Sequence, residues 1–192
     1  FTGTVTFTTD TASNVSLTDT TALDLQSALS VNDLTIVAGG AITQSGALTV
    51  AGISSFTAGA SAITLTQATN DFTGAVSLNN SGSNNVGVTD VNAIDLGTIG
   101  VGQNLTVTAG GAITDSGVAS VGGTSTFDNS AGSNAAIDLG SSSTYTGNVT
   151  FTTDAGSDVT INDSTAFVIQ SGLNVNNLNL TAGGAVTDAG NI

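Results

Sequence analysis

Residues 38–43 read Ala-Gly-Gly-Ala-Ile-Thr, and this six-residue stretch occurs three times in the chain. The second copy, residues 109–114, is identical, and the third, residues 182–187, has valine in place of isoleucine. Successive copies are 71 and 73 residues apart. Self-similarity at a spacing of this size is typical of repeat architectures, in which each unit packs against its neighbours.

Phe1-Thr2-Gly3 is a second marker with the same offsets, and it returns as Phe72-Thr73-Gly74 and Tyr145-Thr146-Gly147. The markers divide the chain into repeat unit 1 (1–71), repeat unit 2 (72–144) and a partial repeat unit 3 (145–192). Because the third unit stops early and the first residue is not methionine, we expect the chain to be a piece of a longer protein.

The units consist of short runs in which Val, Ile, Leu or Phe alternates with Thr or Ser, punctuated by Gly, Asn and Asp. A period of two is typical of β-strands with one buried and one wet face. Helix signals are nearly absent, and eight such runs can be counted in unit 1. The sequence therefore predicts an all-β protein.

Two architectures accommodate such strands, namely tandem β-sandwich domains and a parallel β-helix that winds as a solenoid. An immunoglobulin-type sandwich needs about 100 residues and usually carries a core tryptophan or a tyrosine corner. The period here is shorter, and the chain has no tryptophan. Eight strands predict about three coils of roughly 24 residues per repeat. We therefore predict one continuous β-helix solenoid, with the sandwich array as the alternative.

The glycine pairs of the repeated stretch are predicted to mark tight corners of the coil. Glycine adopts positive φ without steric cost, so two in succession allow the backbone to turn from one face to the next. These corner glycines are Gly39, Gly40, Gly110, Gly111, Gly183 and Gly184. Unit 2 also gains two residues within 129–133, which we expect to form an outward loop.

The composition excludes several classes of partner. The chain has no Lys, Arg, His or Cys, and its 14 acidic residues, all aspartate, give a net charge of −14. Nucleic acids and anionic lipids are bound through Lys and Arg, so neither is an expected partner. No apolar run is long enough to span a membrane. Without cysteine there is neither a disulfide framework nor a thiolate metal site.

The stretch from Leu105 to Thr114, LTVTAGGAIT, followed by Ser116-Gly117, resembles the repeat regions of very large secreted bacterial adhesins of the filamentous-haemagglutinin type. Those adhesins are exported by two-partner secretion or related autotransporter routes, and their rods are right-handed parallel β-helices. The resemblance covers essentially the whole chain. It implies a right-handed β-helix and an extracellular or bacterial cell-surface location, and it implies no particular binding site.

Aspartate is the only strong acid or base available for chemistry. Asp19, Asp90 and Asp163 occupy one position of all three units, whereas other aspartates exchange with Asn, Gln or Ser between units. Such exchange indicates side chains that hydrogen-bond turn backbone. Members of the trio would be roughly 14 Å apart, beyond the ~5–9.5 Å of a glycosidase pair. We therefore expect no catalytic residue and no enzyme activity.

Calcium is the alternative role for these carboxylates. Hard oxygen ligands are abundant, and a cation would screen the acidic surface. No EF-hand loop and no calcium-binding nonapeptide is present. Asp19, Asp90 and Asp163 are the calcium candidates, but solvated turn residues are the expected interpretation, with no cofactor.

Aromatic residues recur at two positions of the repeat. Phe1, Phe72 and Tyr145 share one position, and Phe56 and Phe127 share the other. We expect them to pack in the core, with Tyr145 partly exposed; a sugar-binding platform is the alternative.

Asn-x-Ser/Thr sequons provide candidate glycosylation sites, since such sites lie on surface loops of secreted proteins. They begin at Asn14, Asn79, Asn104, Asn148, Asn162 and Asn179.

The sequence thus predicts a non-catalytic rod or stalk segment of a giant extracellular adhesin or cell-surface fibre. Its partners would be further repeats of the same chain or a second chain joined end to end. Two alternatives stay open. One is a self-assembling filament subunit, and the other is a polysaccharide-binding β-helix that contacts cell-surface glycans.

Overall fold

A computed structural model describes residues 7–190, so Phe1 of the first marker lies outside the described residues. Residues 7–190 form 22 β-strands and no helix, and every strand pairing is parallel. The strands stack into a solenoid of about nine coils. This arrangement confirms the parallel β-helix and excludes β-sandwiches, which consist of antiparallel sheets. In the part of the chain described, there is no helix that could cross a membrane.

Each coil has three faces, and each face is a parallel sheet that runs along the rod. Face 1 begins with β1 (Val15–Asp19), β4 (Leu34–Ala38), β7 (Ser54–Thr57) and β10 (Val76–Asn79). Face 2 consists of β2 (Leu23–Leu25), β5 (Ile42–Gln44), β8 (Ile63–Leu65), β11 (Val86–Asp90), β13 (Leu105–Ala109), β16 (Ser125–Asp128) and β18 (Val149–Thr152). Face 3 begins with β3 (Leu29–Val31), β6 (Leu48–Val50) and β9 (Asp71–Phe72).

Two long strands, β12 (Ile94–Val101) and β17 (Ile137–Tyr145), run around the corner from face 3 to face 1. Their first residues pair with β14 (Ile113–Asp115) on face 3, and their last residues pair with β15 (Ala119–Val121) on face 1. Face 3 then continues with β19 (Asp158–Asp163) and β21 (Asn177–Ala182). Face 1 ends with β20 (Phe167–Ile169) and β22 (Val186–Asp188).

Alternate side chains of each strand point into the coil. In β4, Leu34 and Ile36 are fully buried, whereas Thr35 between them is exposed. Equivalent inward positions stack from coil to coil, as in the pairing of Val88 with Val107, and together they form one core cluster along the rod. Burial of an apolar side chain of this size contributes about 1.5–3 kcal/mol, so the stacked core is the main source of stability.

The repeat does not coincide with a whole number of coils. Ten strands, β1 to β10, precede β11, which is the counterpart of β1 in the second repeat, and three strands complete one coil. One repeat therefore winds through three coils and one further strand. As a result β1 lies on face 1, β11 on face 2 and β19 on face 3. Each repeat is rotated by one face, a third of a turn, relative to the one before it.

This geometry corrects two predictions, namely eight strands per repeat and coils of roughly 24 residues. Paired residues on adjacent coils are separated by 19 residues at the shortest and 24 at the longest. The prediction overlooked β3, although Leu29, Ser30 and Val31 alternate as in the other three-residue strands, and it missed β9, because two residues are too few to show alternation. The longest coil contains the two-residue insertion. There Ser130 and Ala131 are exposed and Asn134 has a φ of 52°, as expected for an outward loop.

Candidate functional site

The three recurrent aspartates are the last residues of β1, β11 and β19, at the corners where the chain turns toward the next face. Because each repeat is rotated by one face, Asp19, Asp90 and Asp163 lie on three different sides of the rod. The structure therefore does not bring them together. Among residues 7–190, no cluster of three or more Asp, Glu, His or Cys side chains is arranged to hold a metal ion.

The expectation that these aspartates are solvated turn residues is wrong, since Asp19, Asp90 and Asp163 are only 4%, 2% and 1% exposed. In each turn the N–H two residues later donates to the Oδ1 atom. The three donors are Thr21 at 3.0 Å, Asn92 at 3.1 Å and Thr165 at 3.0 Å. Each carboxylate therefore caps the backbone of its corner from inside the coil, and we call these three residues corner caps.

Two of these carboxylates also bind the preceding coil. The N–H of Phe72 donates to Oδ2 of Asp90 at 3.0 Å, and the N–H of Tyr145 donates to Oδ1 of Asp163 at 3.3 Å. Burial raises the pKa of Asp90, while hydrogen bonds from Asn92 and Phe72 oppose that rise. The donors are backbone groups, so the contacts hold one coil on the next.

The glycine pairs occupy the coil that follows each aspartate. The N–H of Gly110 donates to the main-chain oxygen of Asp90 at 3.0 Å, and that of Gly183 to Asp163 at 2.8 Å. None of the six corner glycines has a positive φ, so the predicted reason for glycine is wrong. The actual reason is close approach, because a Cβ on Gly110 would collide with the carbonyl oxygen of Val91.

The other glycines of these pairs are equally restricted. A Cβ on Gly39 or Gly183 would collide with the carbonyl oxygen of Thr20 or Ser164. A Cβ on Gly40, Gly111 or Gly184 would come within 2.7, 3.0 and 2.9 Å of a backbone nitrogen of the coil below. Glycine is therefore required wherever two coils touch backbone to backbone at these corners.

A buried amide pair, which sequence reasoning missed, fills another corner of repeat unit 1. Asn70 is fully buried, and it exchanges two hydrogen bonds of 2.8 Å with the side chain of Gln44. Its Oδ1 also accepts from the N–H of Leu48 at 2.9 Å. The only sequence signal is a polar residue two positions before the aromatic marker, and polar residues are too common here for that signal to stand out.

The equivalent corner of repeat unit 2, which lies on another side of the rod, is built from different residues. Ser143 replaces Asn70, and its Oγ accepts from the N–H of Ala119 at 2.9 Å. Asp115 replaces Gln44 and accepts from the N–H of Ser141 at 3.2 Å. Burial raises the pKa of Asp115, the hydrogen bonds from Ser141 oppose the rise, and Asp138 and Asp95 add to it. Burial also raises the pKa of Tyr145, and a hydrogen bond between its hydroxyl and the side chain of Ser143 opposes this rise.

The aspartates that exchange with Asn or Ser behave as predicted. Asp10 accepts from the N–H of Ala12 and the hydroxyl of Ser13, and Asp154 accepts equivalent bonds from Gly156 and Ser157. Hydrogen bonds lower the pKa of both carboxyls. The largest cause is the Ser13 hydroxyl at Asp10 and the N–H of Asn134, which donates to Oδ2, at Asp154.

A second set of exchanging residues joins neighbouring coils. Oδ1 of Asp33 accepts from the N–H of Ile53 at 3.0 Å, and Oδ1 of its counterpart Asn104 accepts from the N–H of Thr124 at 2.9 Å. Asp and Asn are interchangeable at this position because only an oxygen acceptor is needed.

The aromatic side chains of the two recurrent positions lie in the core. Phe56, Phe72, Phe127 and Tyr145 are each at most 1% exposed, so the expected partial exposure of Tyr145 is wrong. Phe56 packs edge-to-face on Phe72 and Phe127 on Tyr145, with ring centroids 6.3 and 6.0 Å apart. Core packing is therefore confirmed, and these rings form no surface platform for sugars.

The sequons fall into two groups. Asn14, Asn148 and Asn179 are exposed, whereas Asn79, Asn104 and Asn162 are half-buried on the coil surface. Glycosylation at the exposed group stays a prediction.

The described chain matches one family model over residues 12–79 and again over residues 83–152. The two matched segments begin 71 residues apart, which is the spacing of the repeated stretch. No curated protein and no solved structure matches the chain. The two segments cover more than half of the chain, and the chain therefore belongs to the family described as repeats of unknown function, DUF5649.

Proposed function

We propose that the chain is a structural rod segment, the stalk of a large extracellular adhesin or cell-surface fibre. A single core cluster runs along the described coils, and backbone hydrogen bonds join each coil to the next. A solenoid of this kind holds its ends at a fixed distance, since every unit contacts only its neighbours. With ~4.8 Å per coil, the described part is a rod roughly 40 Å long.

The observation that carries this proposal is the rotation of the repeat. Equivalent strands β4, β13 and β21 lie on faces 1, 2 and 3, and their outward residues differ: Thr35 and Val37, then Thr106 and Thr108, then Asn179 and Thr181. A groove that binds or cleaves a polymer needs its residues on one side. Here the repeats retain the corner and core residues, whereas the outward residues change and move to another side.

The charge of the chain is consistent with this function. A net charge of −14 with no Lys or Arg gives the rods mutual repulsion, which keeps long surface proteins separate and soluble. The absence of Lys and Arg also removes every trypsin cleavage site.

Immunogold electron microscopy with an antibody raised against the purified chain tests the location. We expect label outside the cell envelope of the producing cells, at a distance from it. Label confined to the cytoplasm would contradict the proposal.

Negative-stain images and sedimentation of the purified chain separate the alternatives. Single rods of roughly 40 Å are expected for a stalk segment, whereas filaments much longer than one chain would indicate a self-assembling subunit.

A further inference from the structure

Face 2 carries an ordered array of outward threonines on its five consecutive strands β8, β11, β13, β16 and β18. The ten outward positions, which include Thr66 directly after the end of β8, are Thr64, Thr66, Gly87, Thr89, Thr106, Thr108, Thr126, Asp128, Thr150 and Thr152. Eight of the ten are threonine, and one is charged. We call these ten residues the threonine array.

The array is regular, since its strands pair without a register shift. Thr106 pairs with Thr126 and Thr126 with Thr150, while Thr89 pairs with Thr108. Neighbouring threonines are therefore ~4.8 Å apart along the rod and about 6.7 Å apart along a strand. The sheet that includes face 1, by contrast, has register shifts at β10–β12 and β17–β19.

Repetition of the sequence does not explain the array. The counterparts of β11, β13, β16 and β18 one repeat earlier in the chain are β1, β4, β7 and β10, which lie on face 1. The eight outward residues of those counterparts include only three threonines, and the others are Ser16, Val37, Ser55, Ser77 and Asn79. The threonines therefore accumulate on one side of the rod, and they come from eight different residue positions of the repeat.

The hydroxyl groups of the array are available to a ligand. None of its eight threonines makes a side-chain hydrogen bond within the described chain, whereas Thr43, Thr144 and Thr165 elsewhere do. Thr89, Thr108 and Thr126 are half-buried among their neighbours, which fixes their positions. The array thus presents methyl and hydroxyl groups in two rows with nothing else bound to them.

The geometry points to ordered water as the ligand, and we propose that the threonine array binds the surface of ice. On the prism planes of hexagonal ice, oxygen atoms repeat along two directions at right angles. The two repeat distances are close to the two spacings between threonines in the array. Hydroxyls hydrogen-bond lattice waters, and the methyl groups between them favour an ordered water layer. The surface is uncharged except at Asp128, although the chain has a net charge of −14, and ice is likewise uncharged.

Two other occupants fit less well. Five coils of one narrow face span roughly 20 Å by 7 Å between atom rows, far below the ~800 Å² per partner of a stable protein interface. Crystalline polysaccharides are bound through exposed aromatic rings, and the rings of Phe56, Phe72, Phe127 and Tyr145 are buried. The proposal does not depend on the stalk function.

The test measures the shape of ice crystals and the inhibition of ice recrystallisation with the purified chain at micromolar concentration. Thr106→Tyr places a bulky side chain in the centre of the array. Thr35→Tyr is the matched control, because Thr35 is the exposed counterpart of Thr106 on face 1. Circular dichroism near 0 °C establishes that both variants are folded.

We expect faceted crystals and slowed recrystallisation with the wild-type chain and with Thr35→Tyr, and loss of both effects with Thr106→Tyr. Unshaped ice with the wild-type chain would overturn the proposal. Equal activity of the two variants would also overturn the assignment to face 2. Concentration-dependent dimers that Thr106→Tyr abolishes, without any effect on ice, would assign the array to a second copy of the chain instead.

Discussion

The N–H of Phe72 donates to Oδ2 of Asp90 at 3.0 Å, and the main-chain oxygen of Asp90 accepts from the N–H of Gly110 at 3.0 Å. The aromatic marker, the recurrent aspartate and the glycine pair of the repeat thus stack on three consecutive coils at one corner. Tyr145, Asp163 and Gly183 repeat this arrangement at the next corner of the rod. The three strongest sequence markers therefore form a single structural element that locks successive coils together.

Substitution of the corner glycine tests the close approach of the coils. Gly110→Ala should destabilise the chain by about 1–3 kcal/mol, the usual cost of overpacking, because its Cβ would collide with the carbonyl oxygen of Val91. Gly140→Ala is the control, since a Cβ there makes an ordinary 3.4 Å contact with Asp138 and should change stability by less than about 0.5 kcal/mol. Urea unfolding followed by circular dichroism measures both, and equal losses would contradict the account.

Substitution by asparagine should change stability differently at two of the buried aspartates. Both carboxylate oxygens of Asp90 accept backbone N–H groups, so Asp90→Asn leaves one donor unpaired and should cost about 1–3 kcal/mol. In Asp163 only Oδ1 accepts, and Oδ2 is buried without a partner. Asp163→Asn keeps that acceptor and removes a buried charge, so its stability should stay within about 1 kcal/mol of wild type. The melting temperatures at pH 7 should rank accordingly, and the reverse ranking would exclude the corner-cap role.

The buried serines offer a second contrast. Ser125 is fully buried and its hydroxyl has no partner, so Ser125→Ala should leave stability unchanged or raise it by up to about 1 kcal/mol. The hydroxyl of Ser143 accepts the N–H of Ala119, and Ser143→Ala should therefore cost about 1–3 kcal/mol. The denaturant midpoints of the two variants measure this difference. A loss of stability in Ser125→Ala as large as that in Ser143→Ala would mean that the Ser125 hydroxyl has a hydrogen-bond partner, and would contradict the account.

The pH dependence of stability should report on Asp115. Burial raises its folded-state pKa above the ordinary 3.8, so the folded chain binds the proton more tightly than the unfolded chain. The stability gained by protonation is present at low pH and is lost as the pH rises through the folded-state pKa. Asp115→Asn should therefore gain stability relative to wild type between pH 4 and pH 7.

Asp158→Asn is the control for this measurement. Hydrogen bonds from Asn177 and Asn176 lower the pKa of Asp158, so the stability from its charged form is complete above about pH 5 and is lost only in more acidic solution. The difference between Asp158→Asn and wild type should thus be constant from about pH 5 to pH 7. A flat difference for Asp115→Asn as well would contradict the burial of that carboxyl.

The β-solenoid was predictable because alternation in short runs and the recurrence of one stretch are both visible in the sequence. The rotation of the repeat was not predicted, since it depends on the number of strands per repeat. The alternation in β3 was overlooked, and the two residues of β9 show no pattern. Glycine at Gly110 was recognised as a corner, but backbone contact between coils leaves no trace in one sequence. Burial of Asp90 was missed for the same reason, because one sequence does not show which aspartates are enclosed between coils.

The threonine array of face 2 was hidden by the same rotation. Its members come from different positions of the repeat, so an alignment of the units separates Thr106 from Thr126 and Thr150. Only the pairing of β13, β16 and β18 places them side by side.

Disulfide formation in double-cysteine variants tests the central claim, the stacking of coils that rotates each repeat by one face. The chain has no cysteine of its own, so each engineered pair is read without interference. Thr106 and Thr126 are paired on adjacent coils, 20 residues apart, and the ~4.8 Å between such neighbours suits a disulfide. Thr106→Cys with Thr126→Cys should cross-link within one chain on mild oxidation, and Thr106→Cys with Ser130→Cys should not. A cross-link to residue 130 but not to residue 126 would mean 24-residue coils that keep every repeat on the same side, and would contradict the account.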